Sequence, residues 1–313
     1  MTFTQSRMAG TGYLLNYLTG NVPDFVFGLL WMPEMRKGET MTASAMQTPV
    51  PELGRLLKHW RQVQGLSQLD LALEAGSSAR HLSFIETGRS SASREMVLRL
   101  GDALELPLRE RNRLLNAAGY TAAYSARPLG DAHLETVRNA LDHILKQQEP
   151  FPAIVMNRCF DILMINAAGA KLMAMLGLGD AGAEGPPNVL RLTLHPDGLR
   201  RVLKDWEPAA RHIVERAHRQ LKGAEENDPL RKLLADVLDY PGVPESFAAE
   251  NPSHDALPVL PLEFVIEGVT LSWITTVASF GTPQDVTAEE IMIESFFPAN
   301  AETEAAVRAQ NQA

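Results

Sequence analysis

Residues 66–89 read Leu-Ser-Gln-Leu-Asp-Leu-Ala-Leu-Glu-Ala-Gly-Ser-Ser-Ala-Arg-His-Leu-Ser-Phe-Ile-Glu-Thr-Gly-Arg. Ser67 is of a residue type that caps helix N-termini. The apolar residues that follow it at helical spacing are Leu69, Ala72 and Leu73. Gly76 is suited to end this helix because glycine readily adopts positive φ, and Ser78 offers a second cap directly afterwards. The stretch therefore predicts two short helices joined by a tight turn.

The second of these helices has two distinct faces. Leu82 and Ile85 are predicted to point into a core, and Gly88 is predicted to stop the helix. The outward residues are Ala79, Arg80, His81, Ser83 and Phe84. An ordinary helical hairpin would give the same pattern, so the flanking sequence has to decide between the two interpretations.

Amphipathic segments lie on both sides of the pair. One precedes it at residues 53–63, and two follow it at 94–104 and 107–118. Pro107 stands where proline is favoured, at the start of a helix. The sequence therefore predicts an all-α domain of five helices over residues 49–120, and not an isolated hairpin.

The order of these helices, the Ser67-Gln68 opening and the ending Phe84-Ile-Glu-Thr-Gly-Arg89 resemble the phage-repressor (XRE) type of helix-turn-helix. The resemblance implies a double-stranded DNA operator as partner, with the second helix of the motif in the major groove. It implies that Gln68 binds a phosphate and that Arg80 binds a guanine, because a guanidinium can donate to both O6 and N7. The residues expected at the DNA are Gln68, Ser78, Ala79, Arg80, His81, Ser83, Phe84 and Arg89.

Arg61 and Glu86 occupy positions that pair in many members of that family. Such a pair would form a brace that holds the first helix of the domain against the recognition helix, which is the second helix of the motif. If it is buried, loss of one partner costs about 3–5 kcal/mol, more than the intact pair contributes. We therefore interpret Arg61 as a structural residue.

Charge is unevenly distributed along the chain. The formal net charge of −9 by itself argues against a nucleic-acid binder. Residues 51–120, however, hold 10 basic and 8 acidic side chains, whereas residues 121–313 hold 16 and 27. A nearly neutral domain binds bulk DNA weakly, so we expect it to depend on base contacts and on a homodimer that doubles the site.

Several function classes lack the residues that they need. The single cysteine, Cys159, excludes a disulfide framework, and its apolar surroundings favour a small buried hydrophobe. The sequence has no Cys/His cluster with zinc spacing, no Gly-x-Ser-x-Gly, no P-loop and no glycine-rich dinucleotide motif. The sequence therefore predicts no enzyme, no metal site and no cofactor.

Residues 1–48 are the least informative segment. The apolar run at 12–31 is interrupted by polar residues and Pro23 before it reaches the roughly 18 residues that a membrane-spanning helix needs. The segment also lacks the features of a signal peptide, so we expect a cytoplasmic protein. We interpret it as a flexible extension, with a start near Met41 as one explanation and a short partner-binding helix at 24–32 as another.

The chain changes character after residue 120. Residues 133–148 are predicted to form a helix within a connecting segment, 121–150. Further helices are predicted at 167–176, 196–203, 206–222 and 229–238. Two strand hairpins are predicted, one at 153–166 turning at Asn157-Arg158 and one at 260–280 turning at Glu267-Gly268. Two antiparallel hairpins with helices between them predict an α+β, PAS-like domain with an antiparallel sheet over residues 151–313.

Several segments of this region resemble the MmyB-like regulators. They are Pro152-Ala-Ile-Val, Asn188-Val-Leu-Arg-Leu, His195-Pro-Asp-Gly, Tyr240-Pro-Gly-Val243, Thr282-Pro-Gln-Asp-Val-Thr and Glu294-Ser-Phe-Phe-Pro298. In that family an XRE-type DNA-binding domain, here called the reader (residues 49–120), is fused to a PAS-like ligand-binding domain. The resemblance covers about residues 50–308. It implies a bacterial transcription factor whose second domain holds a small apolar ligand, with a fatty acid as the best precedent.

A PAS-like sheet would curve around a mostly apolar cavity with a few polar groups. The residues expected to line it are Met156, Ile162, Met164, Leu172, Met173, Leu176 and Trp206. The candidates for binding an acidic head group are Asn166, His195 and Arg211. A filled core explains the apolar residues equally well, and His195 before Pro196 also suits a helix-start residue bonded to backbone.

The sequence thus predicts a homodimeric transcription regulator that binds DNA and responds to a small apolar ligand. The alternative is a regulator whose second domain only dimerises the reader or docks a protein partner. Solvent extraction of the purified protein would distinguish the two, because only the first requires a bound small molecule.

Overall fold

The computed structural model describes residues 51–178, 185–224, 226–249 and 261–310, all within one compact unit that begins at Pro49. The interpretation of residues 1–48 as a flexible extension, and that of 24–32 as a partner-binding helix, lie outside the described residues.

Five helices follow one another at the start of the described chain, as predicted. They are α1 (Glu52–Val63), α2 (Gln68–Glu74), α3 (Ala79–Glu86), α4 (Arg94–Ala103) and α5 (Leu108–Ala117). Ser67 caps α2 in a reciprocal arrangement, because its hydroxyl accepts the Asp70 N–H while the Asp70 carboxylate accepts the Ser67 N–H. Gly76 has a φ of +62°, so it provides the turn between α2 and α3.

Helix α2 buries a different face from the one that the helical spacing suggested. Its buried residues are Leu71 and Ala72, whereas Leu69 and Leu73 are 56% and 66% exposed. Of the three apolar residues singled out by spacing, only Ala72 points into the core. A helix of seven residues completes barely two turns, so two apolar stripes fit the spacing equally well and packing against α3 and α4 selects one.

The second half of the described chain forms a sheet with strand order β2-β1-β5-β4-β3, and every pairing is antiparallel. The strands are β1 (Ala153–Met156), β2 (Ile162–Ile165), β3 (Leu262–Ile266), β4 (Val269–Ala278) and β5 (Met292–Pro298). Both predicted hairpins are present, but the first connects through residues 157–161 and not through a tight turn at Asn157-Arg158. Glu267 and Gly268 have φ of +49° and +83°, the signs that a type I′ hairpin turn requires.

The central strand β5 was not predicted. Its residues entered the sequence analysis only as part of a family motif. β5 pairs with β1 on one side and with β4 on the other, so it joins the two hairpins into a single sheet. Neither hairpin-turn signal lies beside it, which is why the local sequence does not mark it as a strand.

The remaining helices are α6 (Glu135–Gln148), α7 (Ala167–Met175), α8 (Val189–Leu194), α9 (Trp206–Gln220), α10 (Pro229–Leu238), α11 (Val286–Glu290) and α12 (Ala301–Gln310). The prediction of a helix at 196–203 was wrong, because only a 3₁₀ turn forms there, at Leu199–Arg201. A Cβ on Gly198 would lie 2.1 Å from the Leu192 carbonyl oxygen, so the chain folds back tightly on α8 instead of continuing as a helix. Helices α8, α11 and α12 were not predicted.

The sheet has two covered faces. Helix α6, predicted as a connector, packs against one of them, where Leu141 and Leu145 join Val155 and Ile293 in a small apolar cluster. The other face carries the larger core, built from β1, β3 and β4 together with α7 to α10. Because the two faces hold separate cores, alternate residues of one strand lie in different environments.

Candidate DNA-binding surface and ligand-binding domain

Helix α3 presents the residues expected at the DNA. Leu82 and Ile85 are buried, and Arg80 is exposed on the opposite side of the helix. Ala79, His81, Ser83 and Phe84 are partly exposed, while Ser78 and Arg89 are exposed at the two ends of the motif. The structure therefore leaves these predicted residues at least partly accessible to solvent.

Two local contacts hold the outer side chains of α3. The Arg80 guanidinium lies over the Phe84 ring, with Cζ 5.4 Å from the ring centroid. His81 Nδ1 lies 3.1 Å from the Ser77 hydroxyl, which ties the start of α3 to the turn that precedes it. The arrangement keeps a positive charge on the exposed surface of the helix.

A buried ion pair connects α1 to α3. Arg61 Nε donates to Glu86 Oε1 at 2.7 Å and its Nη2 donates to Oε2 at 3.0 Å, a bidentate geometry. The Arg61 and Glu86 side chains are only 12% and 3% exposed. Hydrogen bonding to Glu86 raises the pKa of Arg61. A Cβ on Gly54 would lie 2.3 Å from the Glu86 carbonyl oxygen, so the close approach of α1 to α3 requires glycine there.

Gln68 belongs to the same network. Its Nε2 donates to Glu86 Oε2 at 2.7 Å, so the side-chain amide supports the brace between α1 and α3. A phosphate contact by Gln68 stays a prediction, and any such contact would be made by a side chain that Glu86 already orients.

The residues expected to line a ligand cavity lie mostly in a filled core. Met156, Leu172, Leu176 and Trp206 are buried there, and Ile162 and Met173 pack against it. Met164 lies with the α6 cluster on the other face of the sheet, so it cannot share a cavity with Met156. An apolar cavity between Leu172, Leu271 and Trp273 has a volume of about 20 Å³, enough for one water and far below ligand size.

The three predicted polar anchors are engaged elsewhere. Asn166 uses all four of its hydrogen-bonding positions: Oδ1 accepts from Ala153 and Gly169, and Nδ2 donates to the carbonyls of Phe151 and Leu145. It therefore acts as a structural cap of α7.

His195 and Arg211 also have local partners. His195 Nδ1 accepts the Asp197 N–H at 3.1 Å, in agreement with the interpretation of this residue as one bonded to backbone. The Arg211 guanidinium lies 4.7 Å from the centroid of the Phe247 ring. Neither contact uses the sheet.

A polar cluster that the sequence analysis missed lies on the larger core face of the sheet. Arg216 and Gln220 of α9 meet Met292 and Glu294 of β5 there. The i, i+4 spacing of Arg216 and Gln220 places them on one side of α9, but β5 was not identified as a strand. The spacing of the two polar residues on α9 was therefore visible in the sequence, but the strand that they contact was not predicted.

The reader and the sheet domain touch along α5. The Leu108 N–H donates to Glu289 at 2.8 Å, and Arg109 forms a bidentate pair with Glu290 at 2.5 and 2.8 Å. Burial raises the pKa of Glu289. Beside these contacts lies a polar cavity of about 550 Å³, lined on one side by α5 and on the other by residues that include Arg158 and Glu290.

Two family models match the chain. One, for the MmyB-like transcription regulator ligand binding domain, matches residues 137–309, and one for a helix-turn-helix domain matches residues 52–114. A search of curated proteins finds no match.

Three solved structures show similarity to parts of the chain. The restriction-modification controller protein C.AhdI from Aeromonas hydrophila shares 31% identity over 20% of this chain and 88% of its own, with a TM-score of 0.19. The PAS domain of an HTR-like protein from Haloarcula marismortui shares 12% over 53% and 94%, with a TM-score of 0.23. An RNA-binding light-oxygen-voltage receptor shares 12% over 84% and 62%, with a TM-score of 0.21.

A helix-turn-helix domain followed by a ligand-binding domain on an antiparallel sheet defines a DNA-binding transcription regulator. The match over more than half of its length shows that the chain belongs to the MmyB-like transcription regulators. Among the described residues, no helix has the length and apolar character needed to cross a membrane. The described His, Cys, Asp and Glu side chains form no group of three or more suited to a metal ion.

Proposed function

We propose that this regulator acts as a homodimer, that its second domain binds a small apolar ligand of the fatty-acid class, and that ligand binding changes its affinity for an operator. The observation that carries the regulatory part is the direct contact between α5 of the reader and Glu289 and Glu290 of the ligand-binding domain. A contact of this kind gives a ligand a way to favour one arrangement of the reader over another.

The 285–290 segment is well placed for this role. Besides the contacts of α5, the Ser125 hydroxyl donates to Asp285 at 2.7 Å and the Val286 N–H donates to the Ser125 carbonyl at 2.8 Å. The segment leads directly into β5, the central strand, whose side chains alternate between the two cores. A change in packing inside the domain would therefore reach the reader through β5 and α11.

The homodimer is supported by the charge of the reader. With a net charge of only +2 over residues 51–120, one copy gains little from phosphate attraction. Two copies on adjacent half-sites would double the base contacts. Sedimentation of the free protein and of its complex with a selected duplex measures this directly, and a single copy on the duplex would refute it.

One observation favours the alternative of a docking domain without a ligand. The apolar cavity beside Trp273 holds about 20 Å³, so an acyl chain has to displace core side chains before it enters. Organic extraction of the purified protein followed by mass spectrometry separates the two functions. A co-purifying amphiphile supports the ligand, and the absence of both extractable and titratable amphiphiles supports docking.

The route of communication can be tested by lengthening the chain between the domains. Gly130 lies in an exposed connection, where a Cβ would meet no atom within 4 Å, so inserted glycines after it should leave both domains folded. Operator affinity would be measured with and without dodecanoate. If the α5 contact carries the signal, the insertion keeps the ligand effect, whereas the double variant Glu289→Ala/Glu290→Ala loses it. The opposite result would assign the signal to the covalent connection.

A further inference from the structure

Two donors on α9 converge on the sulfur of Met292. Arg216 Nη2 donates to Met292 Sδ at 3.0 Å, and Gln220 Nε2 donates to the same atom at 3.1 Å. The two donors lie one helical turn apart, and Met292 is the first residue of β5. They therefore meet where the central strand begins, on the larger core face.

A thioether is a poor partner for these groups. Its sulfur is a weak acceptor, whereas a guanidinium and an amide are strong donors. Among the described residues, the buried Gln220 Oε1 has no hydrogen-bond partner. The cluster thus concentrates hydrogen-bonding capacity that the surrounding protein satisfies only in part.

The ion pair between Arg216 and Glu294 also lacks a direct hydrogen bond. Arg216 Nη1 and Glu294 Oε2 are 3.7 Å apart, close enough for an ion pair but too long for a hydrogen bond. The two side chains are only 15% and 13% exposed. Burial lowers the pKa of Arg216 and raises the pKa of Glu294, because both charged forms lose hydration there.

We propose that Arg216 and Gln220 bind the carboxylate head group of the ligand of this domain, in the position that the Met292 sulfur occupies. The inference rests on the proposed function, and it assigns the head group to residues that the sequence did not suggest. A carboxylate accepts two hydrogen bonds from one guanidinium, and a third from the Gln220 amide. Methionine is flexible, so its side chain can turn away without a change of backbone.

The surroundings select an acid with an apolar chain. Phe160 lies beside Arg216, with the guanidinium Cζ 5.6 Å from the ring centroid, and Met156 pairs with Met292 in the sheet. Arg216 brings a single positive charge to the cluster, so a singly charged carboxylate suits it better than a doubly charged phosphate. The site is therefore that of an amphiphilic monocarboxylate.

The location connects the head group to the reader. Met292 follows Glu290 by two residues, and Glu290 forms the ion pair with Arg109 of α5. Displacement of the Met292 side chain would thus occur next to the contact on which the proposed regulation depends.

Dodecanoate and 1-dodecanol carry the same chain and differ in the charge of the head group. We expect the full-length protein to bind dodecanoate about 10- to 100-fold more tightly, the range for hydrogen bonds to a charged group. The double variant Arg216→Gln/Glu294→Gln removes both charges together, so neither is left buried alone. It should bind the two probes equally, with its affinity for 1-dodecanol close to that of the wild type.

Two further variants sharpen the test. Gln220→Leu should reduce the preference for dodecanoate several-fold while Arg216 and Glu294 stay in place. Arg211→Gln, on the same helix, should keep it. A wild type that binds both probes equally, or a double variant that still prefers dodecanoate, would overturn this site without touching the proposed ligand class. Loss of the preference in Arg211→Gln would assign the head group to Arg211, and binding of neither probe would overturn the ligand class as well.

Discussion

The reader and the ligand-binding domain each contain a largely buried arginine–glutamate pair, and the two pairs differ in how well they are satisfied. Arg61 and Glu86 are joined by two hydrogen bonds, and Gln68 adds a third. Arg216 and Glu294 are 3.7 Å apart, and the nearest acceptor for Arg216 is a sulfur atom. A fully hydrogen-bonded pair fixes two helices in place, whereas a partly satisfied one leaves capacity for a ligand.

The largest effect should come from the satisfied pair. Arg61→Ala and Glu86→Ala should each lower the free energy of unfolding by about 3–5 kcal/mol, because each leaves a buried charge without its partner. Urea denaturation of the single and double variants measures the change. We expect a coupling energy of about 0.5–3 kcal/mol, and strict additivity would contradict the brace.

The next effect concerns base reading rather than stability. Arg80→Ala should weaken binding to the preferred duplex by about 1–3 kcal/mol and reduce discrimination at one base pair, because Arg80 is exposed on α3, where its guanidinium lies over the Phe84 ring. Gln68→Ala should weaken all duplexes alike and also destabilise the fold, since Gln68 donates to Glu86. Binding of each protein variant to a panel of duplexes with single-base changes distinguishes the two effects. Uniform loss in Arg80→Ala would restrict that residue to phosphate contact.

The partly satisfied pair should couple more weakly than the brace. In a double-mutant cycle of Arg216→Gln and Glu294→Gln without ligand, we expect a coupling energy within the range of about 0.5–3 kcal/mol for neighbouring residues, but smaller than that of Arg61 and Glu86. The reason is the missing hydrogen bond between the two side chains. A coupling equal to that of Arg61 and Glu86 would remove the distinction between the two regions.

The smallest effect is expected at the contact between the regions. Arg109 and Glu290 are 47% and 17% exposed, so solvent screens the pair and its coupling energy should be about 0.2–1 kcal/mol. Chemical denaturation of the cycle Arg109→Ala and Glu290→Ala tests this. The same variants should alter the response of operator binding to dodecanoate by more than they alter stability, and an unchanged response would exclude the pair from regulation.

The sequence predicted most of the reader because its signals are local. Two capping serines, one glycine turn and two buried residues on α3 all fall within 24 residues, and the structure places them as expected. It was less successful with α2, where two exposed leucines fitted the helical spacing as well as the buried residues do. Helical spacing gives a face, but the neighbouring helices decide which face is buried.

In the ligand-binding domain the sequence predicted the hairpins and missed the strand between them. Turn residues next to the strands indicate each hairpin in the sequence. No such turn adjoins β5, which is recognised as a strand from its pairing with β1 and β4. The sequence also could not show the local contacts of the predicted anchors, and a ligand contact by any of them stays a prediction. Backbone groups use all four hydrogen-bonding positions of Asn166, and the Asp197 N–H donates to Nδ1 of His195.

The sequence alone predicted the two domain types, the caps and turns of the reader and the outward position of Arg80, because each depends on residues that are close neighbours along the chain. The order of the strands, the face that α2 buries and the convergence of Arg216 and Gln220 on Met292 arise only when whole elements pack together. Arg216 and Met292 are 76 residues apart in sequence, and their meeting depends on the position of α9 across β5. Local propensity cannot specify such an encounter, because it arises from the packing of whole elements against each other.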